Sequence, residues 1–185
     1  METQLKNSLN QICLELTNKI EMNSSNIPTG SCYLLGHCLS EGLSKSGFIA
    51  KETTGNLILQ DKNRKSIVYG KSKYKGKSVG YYHTWCVLDF GEKIIIDPSL
   101  KYNKIFLKKN LNIKLNEHLP DCLITSENPT WYYNYLEDSS LIPLSKNILN
   151  KMDQEIVKIL IDKVSEITDI VMNSYRKIDK SIPND

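Results

Sequence analysis

Three residues, Cys32, His83 and Asp97, stand in contexts that would let them act together as a nucleophile, a base and a residue that orients the base. A thiol becomes a good nucleophile at neutral pH when a histidine takes its proton. A carboxylate that accepts the second ring N–H of that histidine fixes its tautomer and stabilises the imidazolium. This combination predicts attack of a thiolate on a carbonyl carbon.

The sequence around Cys32 is typical of the start of a helix. A helix is predicted over about residues 31–46, and Gly47 ends it. The first turn of a helix offers unpaired N–H groups and a partial positive charge, which favour a thiolate and can bind an oxyanion. Leu35 and Leu39 lie on the same side of this helix as Cys32 and would pack it against a sheet. The alternative for Cys32 is a buried cysteine with a purely structural role.

The turn around Gly91 decides whether His83 and Asp97 share a face of a predicted hairpin. A three-residue loop with Gly91 in the left-handed conformation pairs Leu88 with Glu92 and puts His83 directly opposite Asp97. A two-residue turn would send Asp97 to the other face. We therefore predict the first arrangement, in which the imidazole and the carboxylate meet.

The elements that must hold these residues predict an α+β fold. A central antiparallel sheet packs against the helix that begins at Cys32, and further helices lie at both ends of the chain. The predicted single domain covers 1–185, with a core over about 28–100, an irregular cap over 101–144 and one long helix over 145–178. The first helix covers about 3–22, and the predicted strands cover 56–60, 66–69, 81–90 and 93–97.

The three motifs resemble those of the transglutaminase-like superfamily, a branch of the papain-like cysteine enzymes. Its members carry Cys, His and Asp in this order, often with an aromatic residue two positions after the histidine and a proline after the aspartate. Trp85 and Pro98 occupy those two positions here. The resemblance implies a papain/transglutaminase-like core and acyl transfer or hydrolysis at an amide bond of a peptide or protein, through a thioester on Cys32. The family includes peptidases, amidases, deamidases, cross-linking enzymes and inactive domains, so the substrate stays open.

Four further residues complete the candidate site. Trp85 is expected to shield the imidazole, and Trp85, Tyr33 and Trp131 are the candidate substrate-binding residues. The aromatic run that begins at Trp131 equally fits the edge of a core. Asn26 stands six residues before Cys32, where papain-type peptidases place a glutamine, and is the candidate side-chain donor to an oxyanion. A polar loop that ends the first helix explains Asn26 equally well.

A zinc site is the competing interpretation of the same region, with the candidate ligands Cys32, His37, Cys38, His83 and Cys86. His83 and Cys86 would point to opposite faces of a strand, and no close pair of cysteines is present. We therefore predict neither a metal nor a cofactor. The remaining cysteines, Cys13, Cys38 and Cys122, are more typical of packing than of chemistry.

A basic stretch leads into His83 and carries Lys62, Arg64, Lys65, Lys71, Lys73, Lys75 and Lys77. It fits a solvated hairpin, or a flap that steers an acidic ligand. A non-catalytic module that binds a protein or a polyanion is therefore the alternative function, and an acetyltransferase with the same three residues is another. The net charge of +3 and the scarcity of aromatic residues in this stretch do not indicate nucleic acid.

The composition fits a globular chain, with 40% hydrophobic and 24% charged residues among 185. No segment is apolar enough to span a bilayer, no secretory signal is visible, and the five cysteines are scattered. We expect a cytoplasmic protein, with export that needs no cleaved signal left open. The apolar residues of the final helix cover more than one stripe, which predicts either burial or a homodimer through that helix.

Overall fold

A computed structural model describes residues 1–22, 30–71 and 73–173. The fold is α+β, with a mostly antiparallel sheet and helices packed against it. The helices are α1 Thr3–Met22, α2 Cys32–Lys45, α3 Leu100–Leu111, α4 Ile142–Leu149 and α5 Gln154–Val171, with a short 3₁₀ turn over Ser139–Leu141. The strands are β1 Ile49–Gln60, β2 Ser66–Tyr69, β3 Lys77–Gly80, β4 His83–Asp89, β5 Lys93–Asp97, β6 Leu123–Thr125 and β7 Tyr133–Glu137.

The long strand β1 organises the sheet, whose order is β3-β2-β1-β4-β5-β6, with β7 paired to β1 outside this path. Residues 49–55 of β1 pair with β4, and residues 57–60 pair with β2. Strand β7 pairs with residues 55–59. All of these pairings are antiparallel, whereas β2 and β3 run parallel. Strand β1 therefore connects β4, which carries His83, to β2 and β7.

The sheet has an apolar core on each face because its side chains alternate. The even-numbered residues of β4 and β5 face helix α2, and the core on that side includes Leu35, Leu39, Cys86, Leu88, Ile94 and Ile96. The odd-numbered residues face the other way, and the core there includes Leu57, Leu59, Trp85, Ile95, Leu100 and Tyr135. The prediction that a sheet packs on the helix beginning at Cys32 is confirmed.

Helices α1 and α5 close the α2 side of the molecule. The apolar residues of α1 recur at helical spacing and are all buried, namely Leu5, Leu9, Ile12, Leu16 and Ile20. Helix α5 packs against both α1 and α2, and its Ser165 hydroxyl lies 2.9 Å from the Ser46 hydroxyl. The predicted bounds of α1 and α2 agree with the structure. Within the described ranges, every helix is too short or too polar to span a bilayer.

The sequence-based prediction was wrong over much of residues 101–173. Up to residue 173, the one long helix predicted over 145–178 is two helices, α4 and α5, because the Asp153 side chain accepts hydrogen bonds from the backbone N–H groups of Glu155 and Ile156 and starts a new helix. Residues 174–178 lie outside the described residues. The segment 101–144 is not an irregular cap, since it contains α3, β6 and β7. Strands as short as β6 depend on pairing with distant strands, which local sequence does not indicate.

Candidate active site

His83 and Asp97 form a buried pair. His83 Nε2 lies 2.7 Å from Asp97 Oδ2, and both side chains are almost completely inaccessible to solvent. His83 is the first residue of β4, and Asp97 is the last residue of β5. The ends of two neighbouring strands therefore bring together an imidazole and a carboxylate that are 14 residues apart.

The pairing of β4 with β5 differs from the predicted one. The structure pairs Leu88 with Ile94 rather than with Glu92, because the loop lies one residue later, over Phe90, Gly91 and Glu92. Gly91 has the predicted left-handed conformation, with φ +75°. This difference moves the pairing by two residues, which leaves every side chain on its predicted face. His83 is therefore diagonal to Asp97 rather than directly opposite, and the two still meet.

The Asp97 carboxylate receives four hydrogen bonds, two at each oxygen. Oδ2 accepts from His83 and from the Tyr135 hydroxyl, which lies 2.6 Å away. Oδ1 accepts from the Ser99 N–H at 2.9 Å and from the Ser99 hydroxyl at 2.6 Å. Burial alone would raise the pKa of Asp97, but the His83 charge and these hydrogen bonds outweigh burial and hold the pKa below its usual value. The carboxylate is therefore fixed and ionised.

Sequence reasoning missed the roles of Tyr135 and Ser99. Tyr135 comes from β7, far along the chain, and is 4% exposed. No spacing rule connects a tyrosine on one strand with an aspartate on a strand that does not pair with it. The signal for Ser99 was present, since a serine two residues after an aspartate often donates to it in a turn.

Cys32 supplies the third group. It is the first residue of α2, and 8% of it is exposed. Burial alone would lower the pKa of His83, but the Asp97 carboxylate and then the Cys32 sulfur outweigh burial and raise the pKa to about 10. Since His83 Nε2 faces Asp97, the other ring nitrogen, Nδ1, is the one left for the sulfur. Nδ1 is buried and makes no hydrogen bond of normal geometry within the described part of the chain.

Three aromatic rings hold the imidazole in place. Trp85 stacks on His83 with 6.3 Å between ring centroids, and Tyr69 and Tyr135 lie 5.8 and 6.1 Å from it. Trp85 is only 2% exposed. Its predicted role as a shield of the imidazole fits this position. The expectation that it also contacts substrate fits less well, because so little of the indole is exposed.

The other candidate substrate-binding residues are dispersed. Tyr33 is half-buried beside Cys32, and burial, then the Cys32 sulfur, raises the pKa of its hydroxyl. Trp131 is 83% exposed and lines a separate cavity of about 330 Å³. The other residues of that cavity are Gln60, Arg64, Asn116, His118 and Tyr132, so Trp131 does not join the three catalytic candidates. Asn26 lies outside the described residues.

The proposed zinc ligands do not converge. His37 Nδ1 lies 2.9 Å from Glu52 Oε2, and the Cys38 sulfur is directed at a backbone carbonyl of α5. In the described ranges, no three or more His, Cys, Asp or Glu side chains are arranged to hold a metal ion. Burial raises the pKa of the Cys38 thiol to about 12, and it raises the pKa of the Cys86 thiol further. Both cysteines are therefore suited to packing.

Comparisons with known proteins add only the fold. No protein-family model matches the chain, and no curated protein matches it. A crystal structure described as that of "genomics APC5867" matches with a TM-score of 0.56 and 10% sequence identity, over 90% of this chain and 82% of that chain. At this identity the likeness concerns the arrangement of helices and strands alone. Membership of the transglutaminase-like superfamily stays a prediction.

Proposed function

We propose that this chain is a cysteine-dependent enzyme that transfers or hydrolyses an acyl group at an amide bond of a peptide or protein. The observation that carries the proposal is the buried contact between His83 and the fully hydrogen-bonded Asp97, with the Cys32 sulfur acting on the same imidazole. A structural histidine does not need a buried, ionised carboxylate on one side and a thiol on the other. We further propose that the core is of the papain/transglutaminase-like type.

The raised pKa of His83 sets the resting state of the proposed site. A pKa of about 10 keeps the imidazole protonated at neutral pH, and a neighbouring imidazolium is the setting in which a cysteine sulfur serves as a nucleophile. The imidazolium is then ready to act as an acid later in the reaction. Asp97 holds Nε2, so the proton on Nδ1 is the one that moves.

In the first half-reaction the Cys32 sulfur forms a bond to the amide carbon, and the electron pair of the C=O bond moves to the oxygen. The N–H of Cys32 belongs to the first turn of α2, where N–H groups have no partner within the helix, and in this proposal it donates to that oxyanion. The electron pair on the oxygen then re-forms the C=O bond, the C–N bond breaks, and His83 Nδ1 gives its proton to the departing amine. The product is a thioester on Cys32 and a neutral imidazole.

In the second half-reaction His83 takes a proton from the acceptor, which attacks the thioester carbon. The C–S bond breaks, and the thiolate and the imidazolium form again. Water as acceptor gives a carboxylate product, and an amine gives a new amide. The two outcomes are distinguished by the mass of the product formed from a peptide library with and without an added primary amine.

The proposed nucleophile is tested by the rate at which iodoacetamide alkylates Cys32, followed by peptide mass spectrometry across pH. We expect fast alkylation well below pH 8 in the wild-type protein and a large loss of rate in His83→Gln. Cys122 is the internal control, since it is more exposed than Cys32 and its sulfur interacts with Cys13. If Cys32 alkylates no faster than Cys122 and does not respond to His83→Gln, the proposal fails and a non-catalytic binding module becomes the better interpretation.

A further inference from the structure

Tyr69 lies on the same face of the sheet as His83 and Asp97. It is the last residue of β2 and pairs with Leu57 of β1, while His83 pairs with Gly55, two residues earlier on the same strand. Since residues two apart on a strand point the same way, the Tyr69 and His83 rings are neighbours. Their centroids are 5.8 Å apart.

The Tyr69 hydroxyl has no hydrogen-bond partner within the described residues, although the residue is only 8% exposed. A buried hydroxyl without a partner costs about 1–3 kcal/mol of stability, so such groups are rare unless a ligand uses them. The Cys32 sulfur and the Asp97 carboxylate are both within electrostatic range of this hydroxyl. Burial, then these two charges, raises the pKa of Tyr69, so the hydroxyl keeps its proton and can act only as a neutral donor or acceptor.

We propose that Tyr69 is a further catalytic residue, whose hydroxyl donates a hydrogen bond to the carbonyl oxygen of the substrate as Cys32 attacks. This inference rests on the proposed function. It supplies a side-chain donor, the role for which Asn26 was the candidate in the sequence. Together with the Cys32 N–H, the Tyr69 O–H gives the developing oxyanion two donors, one from the helix and one from the sheet.

The other tyrosines near the sulfur are less suited to this role. The Tyr33 and Tyr82 side chains are both half-buried, whereas Tyr69 is almost fully enclosed. A donor that is shielded from water stabilises a developing charge more strongly, because it does not have to give up a hydrogen bond to solvent. Tyr69→Phe should therefore have a larger effect on acyl transfer than Tyr82→Phe.

Two small reagents separate the oxyanion from the nucleophile. With p-nitrophenyl acetate the Cys32 sulfur bonds to the carbonyl carbon, an oxyanion forms, and collapse breaks the C–O bond to release p-nitrophenolate and leave an acetyl thioester. With iodoacetamide the sulfur displaces iodide from a saturated carbon, and no oxyanion forms. Both reactions need the thiolate, but only the first needs a donor to oxygen.

The experiment measures both rates in wild type, Tyr69→Phe and Tyr82→Phe, with Cys32→Ala as the blank and the 85% exposed Tyr81, as Tyr81→Phe, as the matched control. We expect Tyr69→Phe to lower the rate of acetylation about 100- to 1000-fold while alkylation stays within about twofold of wild type, as expected for loss of one oxyanion donor. Thermal unfolding of Tyr69→Phe should be unchanged or shifted upward, because the variant removes an unpaired buried hydroxyl.

The possible results separate cleanly. Unchanged acetylation in Tyr69→Phe, a parallel fall in both rates, or a selective loss in Tyr82→Phe alone overturns the assignment of Tyr69. A clear drop in the unfolding temperature also overturns it, since the hydroxyl would then have a structural partner. If wild-type Cys32 reacts no faster than the other cysteines with either reagent, the proposed function fails, and the role of Tyr69 fails with it.

Discussion

Replacing Asp97 by asparagine tests the buried pair most directly. The substitution keeps the size of the side chain but removes the negative charge next to His83 Nε2. His83 has a pKa of about 10 in the folded protein, against an ordinary value of 6.5. Because the folded-state pKa is raised, the protonated ring stabilises the fold fully below about pH 6.5 and loses this effect as pH rises through 10.

The size of the effect follows from these two values. At pH 7 the higher proton affinity of His83 in the folded state stabilises that state by about 4 kcal/mol relative to the unfolded state. Asp97 is the main source of the raised pKa, and Cys32 is the second. We therefore expect Asp97→Asn to lower the free energy of unfolding by about 3 kcal/mol at pH 7, in the range measured when one partner of a buried ion pair is removed.

Urea unfolding of wild type and Asp97→Asn at several pH values between 7 and 10 measures this difference. The difference in the free energy of unfolding between the two proteins should become smaller as pH rises, because wild-type His83 loses its proton. An NMR titration of the His83 ring should show its pKa falling in the variant, since burial then acts against the charged form. Asp89→Asn is the control, since Asp89 lies at the end of β4, the strand that carries His83, and is exposed. A difference below about 1 kcal/mol at pH 7, or one that stays constant with pH, would refute the reasoning.

Three further substitutions test the scaffold. Leu39→Ala should lower the free energy of unfolding by about 3 kcal/mol in chemical denaturation, because Leu39 is fully buried in the core beside α2, whereas Leu14→Ala, at a 56% exposed position, should change it by less than about 0.5 kcal/mol. Gly55→Ala should be strongly destabilising in thermal unfolding, because the added Cβ would overlap the backbone oxygen of Leu136. A variant as stable as wild type would contradict this close approach. Asp153→Ala should cost about 1 kcal/mol through loss of the cap of α5, and rescue by Asp153→Ser would separate capping from charge.

The parts of the fold that sequence predicted well are those with strong local patterns. Helix α1 has five apolar residues at helical spacing, and α2 ends at Lys45, two residues before Gly47, whose φ is +85°. Strand β2 lies where the sequence predicts it, over 66–69, whereas β1 begins at Ile49, seven residues before the predicted strand over 56–60. In each case the signal and the structure lie within one short segment.

The parts that sequence missed depend on contacts between distant segments. The hairpin loop lies over 90–92, one residue later than the predicted loop over 89–91, and no local preference separates these two loops. Tyr135 and Tyr69 reach the site from strands that meet His83 only through the pairing of β1. The type and order of the candidate catalytic residues were readable in the sequence, but the residues that surround them were not.

The way β1 changes partners has a consequence for how the chain can vary in length. His83 is positioned by Gly55, whereas Tyr69 and Tyr135 are both positioned by Leu57. Inserting or deleting one residue between these two positions would turn the distal half of β1 over and carry both phenol groups to the far side of the sheet. Homologues that keep the site should therefore tolerate indels in the loops on either side of β1 but none at Asn56.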